Sequence, residues 1–167
     1  MAPGDSLEEL AERLYGTSRI APLLVRAGWP AQPEASTRLE VPLARILPLP
    51  RGASLSRLAS QHFGRRDRWP VLAMLSGLDS PDAIAAGTPI VLPALLRVRV
   101  QRGDSFGRLA YLAWGETRGA ALLARWNGLD VNEPLRIGQR LEIPLGGPIE
   151  ERSAQSGGAF SRAGDSP

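Results

Sequence analysis

The sequence predicts an α+β fold made of three closely packed strand–helix–helix–strand units and a disordered tail. The first observation is an internal repeat with a period of about 50 residues. Its copies PGDSLEELA, RGASLSRLA and RGDSFGRLA begin at Pro3, Arg51 and Arg102. The second observation is that each copy closes on a similar apolar motif: RLEVP, PIVLP or RLEIP. The predicted units are repeat 1 (residues 1–44), repeat 2 (45–94), repeat 3 (95–146) and the tail (147–167).

The elements are clearest in repeat 3. Apolar residues and arginines alternate over residues 96–100, which is typical of a half-buried strand. Ser105 is the predicted N-cap of a first helix, and Gly115 is its predicted left-handed stop. A second helix is expected to run to about Asn127, and a loop then leads to a closing strand over residues 139–143.

Repeat 1 lacks the residues for an opening strand, because only Met1 and Ala2 precede its Pro3. Three interpretations stay open: the chain is a fragment of a longer protein, its start is misplaced, or a partner supplies the strand. The tail consists mainly of Gly, Ser, Ala and Pro with scattered charges, a composition that predicts disorder.

The joints between repeats are very short. Repeat 2 closes near Pro93 and repeat 3 opens near Leu95, which leaves no room for a flexible spacer. We therefore expect a rigid, compact row in which Leu92, Leu95 and Leu96 are shared between repeats 2 and 3.

The composition excludes several kinds of chemistry. The 167 residues include no cysteine, one histidine (His62) and no lysine, since all 20 basic residues are arginine. Disulfides, thiolate or multi-histidine metal sites and Schiff-base lysines are therefore excluded. The net charge of +3 balances 20 basic against 17 acidic residues, and it does not by itself indicate a polyanionic partner.

No catalytic residue, metal site or cofactor is predicted. The acidic residues Glu8, Glu9 and Glu12 fall on the outer face of an amphipathic helix, where solvation explains them. Ser6 and Ser105 are interpreted as helix caps, because no histidine base accompanies them. The protein is accordingly expected not to be an enzyme.

The arginines Arg65, Arg66 and Arg68 are interpreted as a solvated loop between two helices. No aromatic residues interleave with them and Asp67 lies among them, so nucleic acid is not an expected partner. No apolar run is long enough for a membrane span, and the first residues carry no export signal.

Tryptophans are candidate sugar-stacking residues. Trp29 and Trp114 occupy positions that are apolar or aromatic in the other copies, so both are predicted to be core. Trp126 corresponds to Leu75 and Arg26, so the fold does not require an aromatic ring there. Both a core position and a sugar-stacking role are open for it.

Repeat 3 resembles a LysM domain through VQRGDSF at residues 100–106, WNGL at 126–129 and LRIGQRLEIP at 135–144. Repeats 1 and 2 keep the frame of this family but depart from it at several positions. Repeat 2 has Ala53 where Asp is usual and Ser76 where Asn is usual, and repeat 1 has Ala27 in place of that Asn.

The resemblance implies a shallow groove that holds N-acetylglucosamine units between the loop before the first helix and the loop after the second. Carried over to repeat 3, the candidate glycan-binding residues are Gly103, Asp104, Ser105, Phe106, Asn127, Gly128, Leu129, Asp130 and Val131. The weaker candidates in repeat 1 are Gly4, Asp5, Ser6, Gly28 and Trp29.

The resemblance therefore implies non-catalytic binding of an N-acetylglucosamine polymer, such as peptidoglycan or a chitin-like glycan, at the cell envelope. The alternative is a structural adaptor that joins tube and baseplate proteins of a phage-tail-like contractile injection apparatus without binding glycan. That role places the protein in the cytoplasm or on the particle. The short joints and the departures in repeats 1 and 2 favour this alternative.

Overall fold

The computed structural model describes residues 6–34, 37–79 and 84–148 and is of mixed helix and strand. Six α-helices and four strands follow one another in these residues. The elements are α1 (Leu7–Tyr15), α2 (Ala21–Arg26), β1 (Arg45–Pro48), α3 (Leu55–Phe63), α4 (Trp69–Leu75), β2 (Pro89–Leu92), β3 (Ala94–Arg99), α5 (Phe106–Trp114), α6 (Ala120–Trp126) and β4 (Arg140–Leu145). A single 3₁₀ turn precedes the second helix of each repeat.

Capping residues set the ends of the first helix of each repeat. Ser6 and Glu9 form a reciprocal capping box on α1, with Ser6 N–H donating to Glu9 Oε2 at 2.8 Å. Ser105 caps α5 by accepting from Arg108 N–H at 3.1 Å, and Gly115 ends it with φ +83°. The predicted N-cap at Ser105 and the left-handed stop at Gly115 are both confirmed. The predicted end of the second helix near Asn127 is also confirmed, since α6 ends at Trp126.

The four strands form two separate antiparallel pairs. In repeat 2, β1 pairs with β2 in a register that places Arg45 opposite Leu92. In repeat 3, β3 pairs with β4 in a register that places Ala94 opposite Leu145. Each pair brackets two helices, so the element order β–α–α–β holds in the described parts of repeats 2 and 3.

Repeat 1 differs from that order. The sequence predicts a closing strand at residues 38–42, and this is wrong, because the structure assigns no strand to residues 37–43. No opening strand lies beside this segment among the described residues, so its backbone lacks a ladder partner. Leu39 and Val41 pack against the core instead. Residues 1–5 lie outside the described residues, and they include the candidate site residues Gly4 and Asp5.

The apolar core is divided between repeats in a way that chain order does not predict. Repeats 1 and 3 share one cluster, in which Leu10, Leu24 and Leu109 are buried with Ile143. Repeat 2 has its own cluster, and that cluster includes Trp126 of repeat 3. Repeat 3 therefore contacts both other repeats, whereas a row in chain order would place repeat 2 in the middle.

The expected contact at the joint between repeats 2 and 3 is confirmed in part. Leu92 is buried in the cluster of repeat 2, and Leu95 packs against it. Leu96 lies in the cluster shared by repeats 1 and 3, so it does not contribute to the cluster of repeat 2.

The predicted tail starts within the described residues, where Pro148 C=O accepts from Ala44 N–H at 2.9 Å. Residues 149–167 lie outside the described residues.

The shared core predicts that repeats 1 and 3 unfold together. Leu24 is fully buried in α2, so Leu24→Ala should lower the free energy of unfolding by about 2–5 kcal/mol. Val25→Ala on the exposed side of the same helix is the matched control and should change it by no more than about 0.5 kcal/mol. A urea titration followed by the amide resonances of α1 and α5 measures both effects. Separate midpoints for α1 and α5 in Leu24→Ala would contradict the shared core.

Candidate functional site

A groove lies in repeat 3 between the start of α5 and the loop that joins α6 to β4. Its volume is about 760 Å³, and none of the described residues of repeats 1 and 2 lines it. Phe106 forms a buried floor, whereas Ile137, on the opposite loop, is 72% exposed. The lining residues are Phe106, Leu129, Asp130, Glu133, Pro134, Leu135, Arg136, Ile137 and Gln139.

The first wall of the groove follows the loop before α5. Asp104 N–H donates to Gln101 C=O at 3.1 Å, and Gln101 N–H donates to Asp104 Oδ2 at 2.7 Å. Gly103 completes this tight turn with φ +84°, a conformation that a residue with a side chain rarely adopts. Ser105 then caps the helix and leads into Phe106.

The side chain of Asp104 is engaged by repeat 1. Arg26 Nη1 lies 2.9 Å from Asp104 Oδ1 and 2.7 Å from Oδ2. The side chain of Asp104 is 1% exposed and that of Arg26 is 8% exposed. The carboxylate therefore holds the turn and repeat 1 together, and its oxygens face Arg26 and Gln101, not solvent.

The second wall follows the end of α6. Asn127 Nδ2 donates to Leu123 C=O and to Glu142 C=O, both at 2.9 Å. Asn127 Oδ1 accepts from Glu142 N–H at 2.8 Å. The amide thus ties α6 to β4, and both its oxygen and its nitrogen are occupied. Gly128 follows with φ +69° and turns the chain into the groove-lining loop.

The loop after α6 has its own internal support. Asp130 Oδ1 accepts from the backbone N–H of Asn132 at 2.8 Å and from its side-chain amide at 3.1 Å. Farther along, Gln139 Oε1 accepts from Arg136 N–H at 3.0 Å. These bonds fix the path of the loop and present Leu129, Pro134 and Ile137 as its apolar surface.

The predicted site residues of repeat 3 are therefore brought together, but in different roles. Phe106, Leu129 and Asp130 line the groove. Asp104, Ser105 and Asn127 hold its walls, while Gly103, Gly128 and Val131 lie on exposed turns beside it. The sequence motifs did not indicate the other lining residues, which are residues 133–137 and Gln139. The signal was available in Ile137, an isoleucine placed in a loop.

Two of the described candidates of repeat 1, Gly28 and Trp29, line a separate cavity of about 570 Å³ beside residues 38–42. Ser6 belongs to the capping box of α1. Trp29 is 7% exposed and lies in the shared core, as predicted for it, so its ring offers no free face to a sugar. Gly28 adopts φ +100° at the turn before it.

Arg68 joins repeat 2 to repeat 3, and its interpretation as a solvated loop residue was wrong. Its side chain is 14% exposed, and its guanidinium lies 4.7 Å from the centre of the Trp126 ring. Arg68 Nε donates to Trp126 C=O at 3.0 Å, and Nη2 donates to Glu142 Oε2 at 3.2 Å. Phe63 meets the same indole edge-on, with ring centres 5.1 Å apart.

The other arginines of that loop differ from Arg68. Arg66 is exposed, as predicted for the whole cluster. Arg65 pairs with Asp67, and its hydrogen bond holds the pKa of the Asp67 carboxyl below its usual value. The interpretation as a solvated loop therefore holds for Arg66 and fails for Arg68.

A second cavity of about 540 Å³ lies where the three repeats meet. Tyr15, Arg19 and Trp114 line it, and burial raises the pKa of the Tyr15 hydroxyl to about 12. The Arg19 guanidinium lies over the Tyr111 ring, 5.7 Å from its centre. Trp114 Nε1 donates to Pro144 C=O at 2.8 Å, which anchors the indole within repeat 3.

Within residues 6–34, 37–79 and 84–148, no group of three or more His, Cys, Asp or Glu residues is placed to hold a metal ion. No helix in the same ranges is long and apolar enough to cross a membrane.

Comparison with known proteins identifies repeat 3. Residues 98–144 match the family model of the LysM domain, and this span runs from β3 to β4. Repeat 3 is therefore a LysM domain, as its motifs indicated. The LysM character of repeats 1 and 2 stays a prediction.

The chain is also similar to two longer proteins of Mycobacterium tuberculosis, Esterase MT1326 of strain CDC 1551 / Oshkosh and Esterase Rv1288 of strain H37Rv. Each is 30% identical over 146 residues, which cover 86% of this chain and 32% of the relative. The chain thus spans about a third of the length of these relatives. Among solved structures, the Bacillus cereus spore cortex-lytic enzyme SleL is similar at 25% identity, with a TM-score of 0.26 over 62% of this chain and 23% of that one.

The contacts of Arg68 predict a large effect of its removal. Arg68→Met should lower the free energy of unfolding by about 2–3 kcal/mol, because a charged hydrogen bond to the Trp126 carbonyl and a cation–π contact are lost together. Arg66→Met, in the exposed part of the same loop, is the matched control and should leave stability nearly unchanged. Urea denaturation measures both variants. Equal stability of the two would show that Arg68 does not join the repeats.

Proposed function

We propose that this protein binds an N-acetylglucosamine-containing polymer in the groove of repeat 3 and does so without catalysis. The observation that carries the proposal is the coincidence of the LysM domain at residues 98–144 with an open groove in the same unit. Within residues 6–34, 37–79 and 84–148, neither neighbouring repeat lines that groove, so these parts of the chain leave it open.

The surface of the groove suits an amino sugar. The ring of such a sugar has apolar C–H faces, and Leu129, Pro134 and Ile137 provide an apolar surface that fits them. Its acetamido group needs one donor and one acceptor. Asp104 and Asn127 are already occupied by Arg26 and Glu142, so we assign acetamido recognition to the backbone of the loops. This assignment makes Asp104 and Asn127 supports of the site and not direct contacts.

Peptidoglycan is the form of the polymer that we favour. The two curated relatives are bacterial proteins, and this chain is similar to about a third of their length. The name esterase belongs to the whole of each relative. For this chain we propose a binding role alone, because its single histidine, His62, is exposed at the end of α3 beside Phe63 and away from the groove.

Repeats 1 and 2 are proposed to support repeat 3 and not to bind glycan themselves. Trp29 is buried in repeat 1, and in repeat 2 the hydroxyl of Ser76 accepts from Val91 N–H at 2.8 Å. Ser76 thereby ties α4 to β2, much as Asn127 ties α6 to β4. The adaptor role in a contractile injection apparatus is the alternative that the binding experiment separates from this proposal.

The test uses retention of the full chain on insoluble peptidoglycan and on chitin. Ile137→Asp places a charge on the most exposed apolar residue of the groove and should reduce retention about tenfold, which corresponds to about 1.4 kcal/mol. Leu43→Asp is the matched control, because Leu43 is 46% exposed and lies outside the groove. It should be retained like the wild type, and both variants should keep the wild-type melting temperature.

Two outcomes of the retention experiment contradict the proposal. Equal retention of Ile137→Asp and the wild type removes the groove assignment, and no retention of the wild type on either polymer favours the adaptor role. The same samples test the absence of catalysis, since the pure protein is expected to release no soluble sugar from peptidoglycan. Release in proportion to protein concentration would show that the protein is an enzyme.

A further inference from the structure

We infer that Arg26 of repeat 1 is a positioning residue for the glycan groove of repeat 3. The inference rests on the proposed function and extends it. Arg26 lies at the end of α2 and does not line the groove. It contacts Asp104, which directly precedes the N-cap of α5. The groove of a LysM domain is therefore held in shape by an arginine from another repeat.

Asp104 depends on Arg26 to balance its buried negative charge. Its carboxylate is almost fully removed from solvent, and the Arg26 guanidinium is its charged partner. A buried carboxylate without a counter-charge is strongly disfavoured, so loss of Arg26 forces Asp104 to move toward water. This movement weakens the hydrogen bond that Asp104 Oδ2 accepts from Gln101 N–H.

Movement of Asp104 changes the shape of the groove. The turn from Gln101 to Asp104 leads directly into Ser105 and Phe106, and Phe106 is the floor of the groove. A displaced turn moves the cap and the floor together, because only Ser105 lies between Asp104 and Phe106. The ligand then has to restore the turn as it binds, and the affinity falls by the free energy of that ordering.

Repeat 1 also contacts repeat 3 through residues other than the Arg26–Asp104 ion pair. Arg19, also from repeat 1, rests on the Tyr111 ring toward the other end of α5. The shared apolar core keeps repeat 1 attached even without the ion pair. Arg26→Met should therefore leave the chain folded and change the groove.

The experiment measures the affinity of the full chain for a soluble N-acetylglucosamine pentamer by calorimetry, at a temperature where circular dichroism shows every variant folded. Arg26→Met should weaken binding about tenfold and shift the amide resonances of Ser105 and Phe106 in the absence of ligand. Arg26→Lys, which keeps the charge, should recover part of the affinity. Arg57→Met, on the exposed side of α3, is the matched control and should bind like the wild type.

The double variant Arg26→Met/Asp104→Asn tests whether the unpaired charge of Asp104 causes the loss of affinity. It removes the unpaired charge, so it should bind more tightly than Arg26→Met alone. Wild-type affinity in Arg26→Met, whatever its melting temperature, overturns the inference. If Arg26→Met does not fold, the affinities of Arg26→Lys and Asp104→Asn test the inference instead. Wild-type affinity in both of these variants overturns the inference. If the wild type itself binds neither the pentamer nor insoluble peptidoglycan, the proposed function fails and the inference fails with it.

Discussion

Trp126 belongs to repeat 3 but is buried in the apolar core of repeat 2, and the arrangement of the repeats depends on this contact. Its indole is fully buried, with Phe63 against its edge and the Arg68 guanidinium over its face. Units of about 50 residues are near the lower limit at which a domain stabilises itself. Each repeat therefore completes its core with side chains of another repeat.

Two of the arginines that reach repeat 3 have related roles. Arg68 comes from repeat 2 and connects Trp126 with Glu142, while Arg26 comes from repeat 1 and meets Asp104. A buried ion pair adds little net stability, because removing its charges from water offsets much of their attraction. Its geometric requirements are strict, however. We therefore assign these arginines to fixing how the repeats are oriented on repeat 3, while the apolar clusters supply most of the free energy.

Much of the local structure follows from sequence, since it is set by residues close together in the chain. The cap at Ser105 and the stop at Gly115 are readable in this way, and so is the identity of repeat 3. The inter-repeat contacts are not, because Arg68 and Trp126 are 58 positions apart. Nothing local distinguishes Arg68 from its exposed neighbour Arg66. The closing motif of repeat 1 shows the same limit, because RLEVP closely resembles the β4 sequence but has no described strand to pair with.

The position of the site was predictable from the sequence, but the roles of its residues were not. The sequence located both walls of the groove but assigned Asp104 and Asn127 to ligand contact, because their bonds to Arg26 and Glu142 depend on the folded arrangement. The lining residues between 133 and 139 were missed, since the folded arrangement decides which side chains of this loop face the groove beside Phe106.

The central claim is that repeat 3 holds the other two repeats in one cooperative unit. Native-state hydrogen exchange tests it most directly, through buried amides of the first helix in each repeat: Ala11, Ala59 and Ala110. The account predicts that all three exchange with the same free energy of opening, equal to that of global unfolding. A lower opening free energy for Ala11 or Ala59 than for Ala110 would contradict it, because that repeat would then open while repeat 3 stays folded.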